Sequence, residues 1–266
     1  MKSNKASSHE LQHVLAVNIG NTVTKLGVFA GDDLVATWVV TTPSVITISE
    51  VKTVLMTFAA ACNFDWNITG SIVSSVAPRI TDAWIAALAH ECGRRPLVVG
   101  PGLKSGIKLG YSDPSEIGAD RIADMVGARA IYGSPLVVIN LEAATTLEVI
   151  DDKGDFVGGI IAPGLESSAS TLSAIAAKIP VIDLKAPSSV IGKSTREAVQ
   201  AGVVLGEIAR IDGLVEAIWN ELGYQTNVVA AGSGAAVIQA LSKTVNETVE
   251  NLTLRGLKVL YGRNTR

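Results

Sequence analysis

The chain has 266 residues, 48% of them hydrophobic and 18% charged, which suits one large or two ordinary compact domains and excludes a disordered chain. A net charge of -3 gives no electrostatic reason to expect nucleic acid as a partner. The only cysteines, Cys62 and Cys92, lie far apart and belong to no cysteine–histidine set large enough for a zinc site, so the sequence indicates neither a disulfide framework nor a zinc site and suits a reducing cytoplasm.

Residues 1–11 are polar and read as a flexible extension, and the apolar run after them is broken at Asn18, so neither a signal peptide nor a membrane span is expected. Val14 to Phe29 reads as two β runs joined by a break of small polar residues, a hairpin. A third strand, Asp33 to Thr41, and a helix from Ile48 to Cys62 follow. Ile68 to Pro78 is a buried strand running into a small-residue loop. Thr81 to Cys92 is a helix with Thr81 at its N-cap, Pro96 to Val99 a strand, and Gly100-Pro-Gly102 a turn. An irregular stretch from Lys104 to Ser115 leads to Glu116-Ile-Gly-Ala-Asp-Arg121 and a helix to about Tyr132.

Pro135 to Ile150 repeats the hairpin in altered form, with its first strand at Leu136 to Ile139, and a third strand follows near Phe156 to Ile161. Pro163-Gly-Leu opens a helical stretch to Lys178, and Thr195 to Leu222 is a long helix behind a Ser194/Thr195 cap. Asn227 to Ala231 is a strand ending in Gly232-Ser-Gly234, and a final helix and strand close the chain near Tyr261. The echo predicts two similar α/β halves, 12–132 and 133–266, facing one cleft.

A hairpin of this kind can cradle phosphate through backbone N–H groups, and a carboxylate ending its first strand can hold a metal. Both copies carry an amide there, Asn18 and Asn140. In the first copy Gly20 permits close backbone approach, Asn21 and Thr22 add hydrogen-bonding groups, and Lys25 follows; an ordinary Gly-Asn hairpin turn satisfies the same pattern. At the head of the central helix, Asp120 can accept a proton from a substrate hydroxyl and Arg121 can grip a carboxylate or phosphate by two parallel hydrogen bonds. A helix N-terminus stabilised by acids explains these residues equally well. His13, His90 and the C-terminal basic residues read as surface, and Trp38, Trp66, Trp84 and Trp219 as core or interface.

Together the motifs resemble the type III pantothenate kinases: Ser74-Ser-Val-Ala-Pro78, Gly100-Pro-Gly102, Tyr111-Ser-Asp-Pro114, Gly118-Ala-Asp-Arg121, Gly158-Gly-Ile-Ile-Ala-Pro-Gly164 and Ile191-Gly-Lys-Ser-Thr-Arg-Glu-Ala198 stand in the family's order. The resemblance implies two ribonuclease-H-like domains of the sugar-kinase and actin superfamily and a homodimer. It also implies transfer of the ATP γ-phosphate to pantothenate with Mg²⁺ and a monovalent cation, K⁺ or NH₄⁺. It assigns Asp120 as general base, Tyr111, Gly118 and Arg121 to the pantothenate pocket, and Thr195 to the pocket of the partner subunit. Asn18, Gly20, Asn21, Thr22, Lys25, Thr145 and Gly232 fall to the nucleotide and its phosphates, and Asn140 and Glu142 to the metal.

On the nucleotide side the chain departs from the family: Asn18 and Asn140 replace aspartates, Glu142 a glycine, Ala143 a threonine and Ser233 a glycine. An amide brings no charge to a cation, and Glu142 repels polyphosphate unless it takes over the role of the lost carboxylate. The expectation is a pantothenate kinase with an intact acceptor pocket and weakened or lost ATP chemistry; the alternative is a non-catalytic pantothenate-binding or regulatory paralogue.

Overall fold

The computed structural model describes residues 13–63, 66–175 and 182–265. The extension 1–11 lies outside the described residues. The chain divides into two compact units, one up to Val99 and the other from Gly100 to Asn264.

The first unit runs β1 (His13–Ile19), β2 (Val23–Ala30), β3 (Asp33–Thr41), α1 (Ile48–Ala61), β4 (Ile68–Ser75), α2 (Pro78–Glu91) and β5 (Leu97–Val98), with sheet order β3-β2-β1-β4-β5. β1 is central and buried along most of its length, which its unbroken apolar run requires; β3, at the edge, alternates exposed and half-buried residues. Thr47 opens α1 with a capping box to Glu50. The expected cap at Thr81 is replaced by a start at Pro78, whose fixed φ suits the first helical turn. Thr81 instead lies inside α2 and its hydroxyl bonds Ala77 O at 3.0 Å.

The second unit has a 3-10 turn at Pro114–Glu116, then α3 (Ala119–Tyr132), β6 (Leu136–Leu141), β7 (Ala144–Ile150), β8 (Phe156–Pro163) and α4 (Leu165–Ile175). There follow α5 (Thr195–Gln200), α6 (Gly206–Leu222), β9 (Asn227–Ala231), α7 (Ala235–Gln239), β10 (Glu247–Val249) and α8 (Leu252–Asn264). Its sheet reads β8-β7-β6-β9-β10, strand for strand the order of the first, with the first three antiparallel and the rest parallel. The echo in the sequence is thus a repeated ribonuclease-H-like topology.

Three details differ from the sequence reading. The long helix is divided by a π turn at Ala201–Leu205. The chain closes on a strand followed by a helix, and the far end of the stretch expected to reach Lys178 lies outside the described residues. The units divide before α3, where the sequence reading ends the first domain at Tyr132. The reason is the packing of α3 on α8: a Cβ on Gly127 would stand 2.9 Å from Gly256 N, so the two backbones touch. Residues 121–128 of α3 are all buried, polar ones included, so this helix is enclosed on every side.

Candidate active site

The sheet of the second unit has two faces. Val137, Ile139, Leu141, Leu147 and Val149 join the apolar core with α6, while the alternate residues Asn140, Thr146 and Glu148 share the other face. Helix α3 brings Arg121 and Asp124 to that second face and carries Asp120 at its head.

Gly118 forms the start of α3 without a side-chain cap, and Asp120 Oδ1 accepts from Arg121 N at 2.9 Å. Burial raises the Asp120 pKa above the ordinary carboxylate range, against the pull of that backbone bond. Arg121 is 8% exposed and Glu148 1%. The guanidinium donates from Nε to Glu148 Oε1 and from Nη2 to Oε2, both at 2.6 Å, and Nη2 also reaches Tyr111 Oη at 3.3 Å. The fork expected to take a substrate acid is therefore filled by Glu148. Burial opposes the guanidinium charge, but the hydrogen bonds and charge of Glu148 outweigh it and hold the group ionised. Tyr111 stacks at a tilt on Phe156, 5.1 Å between ring centres, and the Arg121 guanidinium lies 5.7 Å and 5.9 Å from the two rings.

Gly159 of β8 makes room for this cluster. A Cβ on Gly159 would stand 2.7 Å from Glu148 Oε2 and 2.8 Å from Arg121 Nη2. Behind it, Asp124 is 1% exposed; its Oδ2 accepts from Asn140 Nδ2 and its Oδ1 from Thr253 Oγ1, both at 2.6 Å. Desolvation raises the Asp124 pKa to about 7, with the charges of Asp120 and Glu148 adding to the shift. The sequence reading misses Asp124, Glu148 and Thr253. The four-residue spacing of Asp120 and Asp124 and the lone carboxylate in Leu147-Glu-Val-Ile150 were the available signals.

The nucleotide-side residues fall in both units. In the first, Gly20 N donates to Val23 O at 3.0 Å and a Cβ there would stand 2.8 Å from that oxygen, so the turn requires glycine. Asn21 and Thr22 are exposed, Lys25 pairs in register with Asn18, and Asn18 Oδ1 accepts from Ser74 Oγ at 2.5 Å. In the second, Glu142 N donates to Ala144 O, and Ala143 O accepts from Gly164 N and Ser167 Oγ, which pins the turn to the start of α4. A cavity of about 230 Å³ opens beside it, lined by Leu141, Glu142, Leu165, Glu166, Leu184, Ser233, Gly234 and Val237. Gly232 has φ +96°, whereas Ser233 is not among the residues with positive φ, so serine replaces glycine there without backbone strain.

Thr145, the register partner of Leu141, is not among the residues lining this cavity; it is fully buried, with its hydroxyl donating to Glu207 Oε1 at 2.6 Å. Thr195 is exposed in the first turn of α5, behind the Ser194 cap, and among the described residues no hydrogen bond links it to Tyr111, Asp120 or Arg121. Asn140 Oδ1 is buried without a hydrogen-bond partner. Among the described residues no group of three or more His, Cys, Asp or Glu side chains is gathered to cage a metal. None of the described helices is long and apolar enough to cross a membrane.

The sequence pattern of the type III pantothenate kinases matches residues 14–217. The type III pantothenate kinase of Moorella thermoacetica is 36% identical over 95% of this chain and 100% of its own length. That of Syntrophotalea carbinolica is 38% identical over 94% of this chain and 99% of its own. The activator of 2-hydroxyisocaproyl-CoA dehydratase from Clostridium difficile, solved with bound ADPNP, shares the fold at TM-score 0.55 and 14% identity, over 94% of each chain. Its likeness places both halves in the actin-like ATPase and sugar-kinase fold class. The matched pattern and the full-length relatives show that this chain belongs to the type III pantothenate kinase family.

Proposed function

We propose that the chain is an ATP-dependent pantothenate kinase whose acceptor side is complete and whose nucleotide side is attenuated. The observation that carries this reading is the half-buried Asp120 at the head of α3, raised above the ordinary carboxylate range beside the Arg121–Glu148 pair. A raised carboxylate matches the task of taking the proton from a primary alcohol as it attacks the γ-phosphate. In this reading Asp120 removes the proton, Tyr111 and Gly118 border the acceptor, and Arg121, held and neutralised by Glu148, fixes Tyr111 at the acceptor's edge. Thr195 completes the pocket of a second subunit in a cytoplasmic homodimer.

The unpartnered, buried Asn140 Oδ1 is an oxygen of the type Mg²⁺ accepts, and Asn140 with Glu142 would hold that ion in this half. Bound with ATP, Mg²⁺ supplies neutralisation of the phosphate oxygens, assisted by K⁺ or NH₄⁺. Attenuation follows from the charge balance. Asn18 and Asn140 bring none, and the cavity beside the second turn carries Glu142 and Glu166 where polyphosphate would approach. That acidic lining favours one second reading, a pantothenate-binding paralogue without turnover.

The test is a coupled ATP-consumption assay with pantothenate, Mg²⁺ and K⁺ on the unmodified chain, Asn18→Asp and Glu166→Gln, the second removing acidic lining without removing a proposed cation ligand. Slow turnover that rises at least several-fold in the two variants is expected. Rates that neither variant raises would overturn attenuation, and calorimetric binding of pantothenate with no turnover in any of the three would favour the second reading.

A further inference from the structure

We propose that Asp124 is the positioning residue of Asn140: it clamps the carboxamide so that Asn140 Oδ1 is presented as a ligand for a divalent cation, with the Asp124 charge directly behind it. The carboxylate accepts from Asn140 on one oxygen and from Thr253 on the other, so neither oxygen has freedom to turn. An acid accepts from the amide Nδ2, and that choice sends Oδ1 to the opposite side. There Oδ1 is buried and has no protein donor. Beside it the Gly232 backbone packs close: a Cβ there would lie 2.9 Å from Oδ1, so any larger residue would crowd that oxygen.

An amide oxygen alone is a weak ligand for a hard cation. A charge-assisted bond from its own N–H to a carboxylate makes it more negative, the same device by which outer carboxylates strengthen metal-bound histidines. Asp124 and Asn140 act as an acid–amide pair, and the formal charge of this site sits on α3 instead of β6.

The inference rests on the phosphotransfer reading for the purpose of the cation, but it is tested by cation affinity, which pantothenate binding does not report. Mn²⁺ is titrated alone and with a non-hydrolysable ATP analogue, by loss of the free-ion electron paramagnetic resonance signal. The proteins are the unmodified chain, Asp124→Asn, and the exchanged pair Asp124→Asn/Asn140→Asp. Asp124→Asn is expected to weaken Mn²⁺ at least about tenfold while its thermal stability holds or rises, and the exchanged pair to recover most of the loss. Absence of Mn²⁺ binding in the unmodified chain, unchanged affinity in Asp124→Asn, or no recovery in a folded exchanged pair would overturn it. Should the exchanged pair not fold, Thr253→Val decides: it releases one Asp124 oxygen without touching Asn140 and is expected to weaken Mn²⁺ at least threefold, and unchanged affinity overturns the clamp.

Discussion

Gly127 and Gly256 meet where α3 crosses α8, one helical turn from the bond between Asp124 and Thr253. A Cβ on Gly256 would stand 1.8 Å from Ala123 O, a distance no rotamer can relieve. Gly256→Ala is therefore expected to push the helices apart and cost about 2–3 kcal/mol or more in chemical denaturation. Gly262→Ala, on the same helix with open space at its Cβ, is expected to be neutral or slightly stabilising. Equal stabilities for the two variants would refute the close crossing.

The Arg121–Glu148 pair is nearly sealed, with side-chain exposures of 9% and 1%. Removing one partner of such a pair leaves an uncompensated buried charge. Glu148→Gln is expected to cost about 3–5 kcal/mol of stability, and Arg121→Met/Glu148→Leu to cost clearly less than the sum of its single changes. Urea denaturation of the four proteins closes the cycle, and additive losses would count against the pair.

Asp124 supplies a pH dependence of stability with a defined sign. Its folded pKa of about 7 lies above the ordinary value of 3.8, so the native state binds the proton more tightly than the unfolded chain. Its contribution is greatest below about pH 4 and is lost as pH rises through about 7, on the order of 4 kcal/mol over the whole window. Asp124→Asn has no such proton to lose. Measured from pH 5 to pH 8, the Tm of this variant relative to the unmodified chain is expected to rise with pH, and a flat difference would contradict the burial of an ionisable Asp124.

Sequence reading reached the repeated hairpins because β-branched runs and turn residues act locally, and the shared strand order followed from that echo. Asp120 and Arg121 were legible because they stand at a helix head between glycine, alanine and an apolar stretch. Asp124 was not, since a carboxylate on a helix ordinarily faces solvent. It is enclosed between Asn140 of β6 and Thr253 of α8, the latter remote in sequence by more than a hundred residues. Glu148 was hidden for a related reason: its partner is fixed by the pairing of β7 beneath α3, and nothing within β7 announces a buried cation. Thr145, read for the nucleotide, follows the period-two alternation to the α6 face, where its hydroxyl bonds Glu207 Oε1.

The turn after β9 separates a required glycine from a replaceable one. Gly232 adopts φ +96°, and a Cβ there would stand 2.4 Å from Leu141 O as well as close to Asn140 Oδ1. Strain and overlap act together in Gly232→Ala, which is expected to lose about 2–4 kcal/mol and to weaken binding of Mn²⁺ with an ATP analogue, because the alanine methyl crowds the amide oxygen. Ser233→Gly removes only a 3.4 Å hydroxyl contact to Leu141 O and is expected to change stability by less than about 1 kcal/mol. Thermal unfolding of both variants checks the contrast. A Gly232→Ala protein as stable as Ser233→Gly would show that the turn relaxes, and would remove the backbone constraint that keeps a side chain at position 232 from crowding Asn140 Oδ1.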